Sequence, residues 1–408
     1  MNSDLYDLPD DVLIYKFTFF SIPDILQLRQ MCQRFNALTR LPIVWTNAFK
    51  LNILANNYPF GAHDINIEHR MCHAYRLASR WLTDSPLTPK SQTTLIEGPP
   101  AHKIKFVPGH RLLIVSSKPS VLMILDITST HHQKCSEWSL KDEIITMVTI
   151  NEDPKSEGSI AVSFLIVLLH LDKAGTLHQV RSIDMSLRPV TLSGDIIALD
   201  DEITKTVIYN WKTDEHAYLV DGGDLEYNNC HRVIFTPSTI LVTRESSIHL
   251  YTRPPLLHKQ TNTPIAMHSF GWVEFISIPT PAPNNPLSIL IRSESYDLRT
   301  LIKLYFLDCF PPILTSTISS RHGAHRSANI ILGKRGTAVW ICARQEHDDD
   351  CETLVAAVYP GPLNPTGEVH VHDVCSNPLK NWTLLDYNEE LGKIVLKSKS
   401  GRFRIVQL

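Results

Sequence analysis

The sequence has no apolar run long enough to cross a membrane, no paired-cysteine spacing and no marked excess of either charge. Its longest apolar stretch, Ala161 to Leu169, is broken by Ser163 and followed by His170-Leu171-Asp172. That is the length of a buried strand, whereas a spanning helix needs about 20 apolar residues. The eight cysteines, at 32, 72, 135, 230, 309, 342, 351 and 375, contain no CxxC pair. A zinc ribbon or a thioredoxin-type motif is thereby excluded, and reduced thiols in the cytoplasm or nucleus are expected. Met1-Asn2-Ser3-Asp4-Leu5 lacks a basic start and an apolar core, so no secretory signal is expected. A net charge of −3 argues against nucleic acid or an anionic membrane as partner.

The familiar catalytic motifs are also missing. There is no GxxxxGK[ST] loop, since Gly333-Lys334-Arg335-Gly336 has the wrong spacing, and no GxSxG, HExxH or EF-hand pattern. His322-Gly323-Ala324-His325 could bring two imidazoles to one metal, but no third ligand follows, and an exposed loop is the better reading. The acidic run His347-Asp348-Asp349-Asp350-Cys351 reads as a solvated turn. Neither catalysis nor a cofactor or resident metal is expected.

What is present divides in two. At 408 residues, two or three domains are expected. Up to about Leu82 the pattern is helical. Leu8-Pro9-Asp10-Asp11 is a helix start, with proline tolerated in the first turn and acids at the positive end of the dipole. Ser21 and Asp24 form an N-cap and capping-box pair for a second helix. Phe35 and Leu38 carry a third, stopped at Leu41-Pro42, and Ile43 to Leu54 resumes around Trp45. Met71, Ala74, Ala78 and Trp81 then lie on one stripe of a helix from about Glu68 to Leu82. The proline and hydroxyl residues of Thr83–Pro89 form a linker.

Beyond it, β-branched runs bounded by turn residues take over. Ile104–Asp126, Gly194–Trp211, Val233–Tyr251 and Asn381–Val406 share one cadence, with weaker copies near Ile160–His170, Gly271–Leu307 and Ala328–Tyr359. Recurrence roughly every 40–55 residues is that of propeller blades, and radial repetition manages the edges of so many strands. Seven blades are counted; six, eight, or a pair of sandwiches stay open. Thr93-Thr94-Leu95-Ile96 is a candidate outer strand for the C-terminal blade, closing the ring. The expected architecture is α+β and multidomain, with a helical module at 1–54, a helical linker at 55–92 and an all-β propeller at 93–408.

The order Leu8-Pro9, an acidic pair, a first helix, a break before Asp24, a leucine-bearing helix and a late Trp45 resembles the F-box family. The resemblance covers Leu8–Trp45 alone. It implies docking on a Skp-type adaptor and, through it, a cullin ubiquitin ligase. Leu8 and Pro9 would be the signature contact, and Leu13, Ile14, Phe17 and Phe20 the first-helix face. Asp24, Leu26, Leu28, Met31 and Cys32 would be the second-helix contribution, with Phe35 at the family's aromatic position. Lys16 departs from the aliphatic residue usual there. A module of roughly 40 residues also buries too little surface to stand alone; the alternative is that it packs on the Glu68–Leu82 helix or caps the β domain. The β region is similar to WD-type propellers in texture, with Trp211 followed by Lys212 and no Trp-Asp dipeptide anywhere.

The implied role is that of a substrate receptor in an SCF-type ligase, binding an unidentified protein substrate through the propeller and working by proximity. A non-ligase scaffold with a decayed F-box, which Lys16 favours, and a propeller-type hydrolase are the alternatives. Arg232, Arg244, Arg292 and Arg344 are candidates for an acidic or phosphorylated motif. Lys103, Lys105, His110 and Arg111 read as the solvent side of a strand, with phosphate binding as the alternative.

Overall fold

Pro9 sits at the cap of the first helix, one position before the first turn in which the sequence reading placed it, and the acids behind it fill that turn as expected. The computed structural model describes residues 7–48, 67–83, 85–95, 100–128, 133–140, 144–163, 165–201, 203, 205–220, 229–256, 260–271, 273–279, 287–294, 300–307, 309–320, 330–346, 349–360, 364, 367–379 and 381–408. Helix α1 covers Asp10–Phe17, α2 Ile22–Met31, α3 Gln33–Thr39, α4 Pro42–Ala48 and α5 Ile67–Leu82. Ser21 Oγ accepts from the Asp24 N–H at 3.4 Å, so the expected cap forms. Leu41-Pro42 does more than stop α3, because Pro42 is itself the first residue of α4, where its missing N–H costs nothing. The continuation of that helix expected to Leu54 lies outside the described residues.

The first four helices close on one core of Leu13, Phe17, Ile22, Ile25, Phe35 and Trp45, completed by Met71 from α5. Phe17 and Phe35 meet edge to face at 5.5 Å. Trp45 Nε1 donates to the Thr39 carbonyl at 2.7 Å, so its one polar atom is satisfied while the ring is buried. Arg29 lies 5.7 Å over that ring and pairs with Glu68 at 2.7 Å, tying α2 and α4 to α5.

From residue 91 onward the described chain forms seven sheets, antiparallel throughout except for one added strand in the third. Blade 1 runs over Ala101–Ser139, blade 2 Val148–Ile183, blade 3 Arg188–Val220, blade 4 Cys230–Ser269, blade 5 Phe275–Ser320, blade 6 Ile331–Asn377 and blade 7 Trp382–Gln407. The first strand of each blade sits innermost. Thus the Val233 N–H of blade 4 donates to Thr191 Oγ1 of blade 3 at 3.1 Å, and Asn151 bridges to Leu192 between blades 2 and 3. Apolar faces meet between neighbouring blades all the way round. Val115 with Val162 joins blades 1 and 2, Leu290 with Trp340 joins 5 and 6, and Ile114 with Phe403 joins 1 and 7. A ring of such contacts leaves no blade with an open face.

The ring is fastened by a segment from before blade 1. Ser91–Leu95 pairs antiparallel with Phe403–Gln407, Ser91 opposite Gln407, as the outer strand of blade 7. One strand was not legible in the sequence. Gln260–Asn262, from the connection inside blade 4, pairs parallel with His216–Val220 and gives blade 3 a fifth strand.

Blades 6 and 7 are also joined by a buried carboxylate. Glu389 accepts from the Arg335 N–H at 3.2 Å and from the Thr337 hydroxyl, and burial raises its pKa. Gly333 makes room for it, since a Cβ there would overlap the carboxylate. Gly333→Ala should therefore destabilise the protein by roughly 1–3 kcal/mol, read as a lowered urea midpoint. A midpoint equal to wild type would show that Glu389 has other room to move.

Candidate functional site

The expected adaptor-contact residues do not share one environment. Leu13 and Phe17 are fully buried in the module's own core. Ile14, Phe20, Leu26 and Leu28 line its rim half-buried, and Leu8 joins them there beside exposed Pro9. Met31 is 55% exposed at the end of α2. Cys32 caps α3, its Sγ accepting from the Phe35 N–H at 3.4 Å. A helical stripe in a sequence marks apolar positions without saying whether they face the chain or a partner. Tyr15 and Phe19, which the stripe omits, are 65% and 59% exposed and stack edge to face at 5.0 Å. Lys16 is exposed in the last turn of α1, where a cation suits the negative end of the dipole.

Helix α5 links this module to the ring. Its N-terminal half contributes Met71 to the helical core, and its C-terminal half packs Leu77, Ala78 and Trp81 against blades 6 and 7. His372 Nε2–H donates to the Trp81 carbonyl at 3.0 Å, satisfying one of the helix's last acceptors. The stripe read from the sequence is core, divided between two cores. At 16 residues the helix spans about 24 Å, long enough for its two halves to serve two different cores.

A second site lies among the inner strands of blades 1 to 4, around a cavity of about 400 Å³. Lys103, Lys105, Arg188, His231 and Arg232 line it, with Glu152 as the lining carboxylate. Three of the cations are matched. Lys105 pairs with Asp386 at 2.7 Å, Arg188 with Asp200 at 2.6 Å and Arg232 with Glu152 at 2.7 Å. Lys103 Nζ instead donates to the Val148 carbonyl at 2.7 Å, and among the described residues no carboxylate lies within ion-pair distance of it. Burial, aided by repulsion from Lys105 and partly offset by Asp386, pushes its pKa down to about 7. Burial likewise lowers His231 and pushes the Cys230 thiol up to about 12, which leaves that cysteine unreactive.

The remaining candidates scatter. Of the four arginines singled out, Arg232 reaches the cavity, while Arg244 is fully buried beside Thr206 and Arg292 pairs with Glu274 at 2.8 Å in blade 5. The Arg344 side chain, His322–His325 and His347-Asp348 lie outside the described residues. Lys103 and Lys105 line the cavity, both half-buried, whereas Arg111 reaches the Asp172 carbonyl on blade 2. Arg188 was missed, and its sequence neighbours carry no signal that marks it. Among the described residues no group of three or more His, Cys, Asp or Glu could hold a metal ion, and no helix is long and apolar enough to cross a membrane.

Solved structures share this architecture. The chain is similar to the β-propeller domain of Cps50 (Swd1) from Myceliophteria thermophila, with a TM-score of 0.53 at 8% identity, over 78% of this chain and 100% of that one. The fold is a WD40-type seven-bladed β-propeller. The chain is also similar to one in the crystal structure of the mitotic checkpoint complex, with a TM-score of 0.50 at 6% identity, over 78% of this chain and 95% of that one. No family model matches the chain, and no curated protein matches it by sequence. Identities this low speak to the fold alone. Within this propeller Trp211 fills the gap between blades 2 and 3, where Gly158 leaves space for the ring and Nε1 donates to the Gly194 carbonyl at 3.2 Å.

Proposed function

We propose that this protein is the substrate receptor of an SCF-type ubiquitin ligase, its α1–α4 module docking a Skp-type adaptor and its propeller holding a protein substrate. One observation carries the reading. A helical module with the F-box order of residues, Leu8-Pro9 through Trp45, keeps Tyr15, Phe19, Met31 and Ile43 in solvent while it is mounted on a propeller by α5. Tyr15 and Phe19, stacked at 5.0 Å in solvent, form a contiguous apolar pair of the kind that a protein partner covers. The rigid mount suits a receptor that works by proximity, because the distance from adaptor to substrate then has a set value. The propeller supplies no catalytic group in this scheme.

Affinity purification of the full chain under proteasome inhibition should recover both the adaptor and a cullin. Leu8→Ala/Pro9→Ala should reduce adaptor recovery by about tenfold or more, the scale of losing an interface hot spot, with the circular dichroism spectrum unchanged. Recovery of neither protein with the wild-type chain would sink the reading. Full adaptor binding by the double variant would move the interface to Tyr15, Phe19 and Met31.

A further inference from the structure

The cavity between blades 1 and 4 has a charge arrangement that the receptor reading does not use. Four cations line it from three blades, and Asp386, Asp200 and Glu152 answer three of them one to one. Lys103 remains with a backbone carbonyl as acceptor. An ammonium carries three donors, so two on Lys103 are left for something else. An ammonium set among protein atoms with no carboxylate in ion-pair contact is costly, and an anionic ligand would offset that cost. About 400 Å³ suits a small molecule rather than a folded segment.

We propose that this cavity binds a compact polyanion of the phosphate class, with Lys103 as the charge that recognises it and Lys105, Arg188 and Arg232 supplying the surrounding positive field. The proposal does not rest on the adaptor reading, since it concerns propeller residues alone. The charged and titratable groups that act on Lys103 are Lys105 and His102 from its own strand, Arg188 from blade 3 and Asp386 from blade 7. Glu152, His231 and Arg232 share the cavity wall. A bound anion favours the protonated amine, so binding above pH 7 takes up a proton and weakens as the pH rises toward the ordinary lysine value of 10.5. The unliganded protein shows the reverse face of this linkage. Its penalty for the charged amine is full below about pH 7 and disappears by about 10.5.

Calorimetric titration of the full chain with pyrophosphate at low salt is expected to show one saturable site, and Lys103→Met should weaken it by about tenfold or more. The same substitution should raise thermal stability below pH 7, a pairing that a purely structural lysine would not produce. Sulfate, whose charge is constant near neutrality, should compete less well as the pH rises from about 6.5 to about 8.5. In the unsubstituted protein, pyrophosphate should also protect Lys103 from acetic anhydride without protecting exposed Lys134, read by mass spectrometry. The proposal is overturned if pyrophosphate does not bind, if Lys103→Met binds it unchanged, if Lys103 labelling is unaffected, or if a phosphopeptide competes where free pyrophosphate does not.

Discussion

Trp81→Ala should lower the unfolding free energy by roughly 3–5 kcal/mol, the range for deleting a large buried aromatic side chain. Trp81 is 1% exposed and sits in the largest core among the described residues, with Leu77, Leu354, Trp382, Leu385 and Leu408, and Tyr387 at 6.3 Å. Surrounding strands cannot collapse into the void, because their spacing is held by the ladders of blades 6 and 7. The Trp81 carbonyl keeps its bond from His372, since that bond is to the backbone. Trp81→Phe should recover most of the loss, as it refills part of the volume. Urea denaturation gives the magnitude, and limited proteolysis near Thr88 should show α5 released before the propeller opens. A change below about 1 kcal/mol would mean that α5 is not mounted as described. Under the receptor reading the variant should still bind adaptor yet lose substrate ubiquitination, because the separation set by α5 is lost.

Asp386→Ala has the next largest expected effect, about 3 kcal/mol, because one carboxylate closes the ring twice. Its Oδ1 pairs with Lys105 at 2.7 Å and its Oδ2 accepts from the Phe106 N–H at 2.7 Å, joining the innermost strands of blades 7 and 1. The Lys105 side chain is 36% exposed, so water screens the ion pair and the larger share falls on the buried carboxylate and the orphaned N–H. Asp386→Asn can still accept from Phe106 and should lose about half as much. Hydrogen exchange of the Ala101–Val107 amides should quicken in Asp386→Ala. An unchanged exchange rate would place the closure entirely in the Ser91–Leu95 strand and the apolar contacts of Ile114 and Phe403.

These two residues mark the limits of what could be read from sequence. Trp81 was legible as core, since its helical stripe is a local pattern, but its partners 250 residues and more away were not. Asp386 carried no signal at all, because a carboxylate at the end of a leucine run gives no hint of an N–H from blade 1. Lys103 and Lys105 alternate with apolar neighbours, which tells that they share one side of a strand. Alternation cannot tell whether that side meets bulk water or the channel of a ring. For the helical module the same ambiguity holds: Leu13 and Phe17 turned inward, while Tyr15 and Phe19, outside the expected face, remained in solvent.

The sequence by itself determined the division into a helical part and a repeating strand region, with seven units favoured and six or eight left open. Caps such as Ser21, β-branched runs and turn residues act within a few residues of chain, where backbone sterics and local hydrogen bonds decide. It also pointed to Thr93-Thr94-Leu95-Ile96 as a candidate closing strand, where the described strand is Ser91–Leu95, and carries the Leu8–Trp45 resemblance to the F-box family. Tertiary structure alone decided which side chains converge: the Asp386 clasp, the Gly333 berth for Glu389, the α5 mount and the cavity around Lys103. Convergence depends on blades meeting across long stretches of chain, and nothing within any one blade specifies what its neighbour presents.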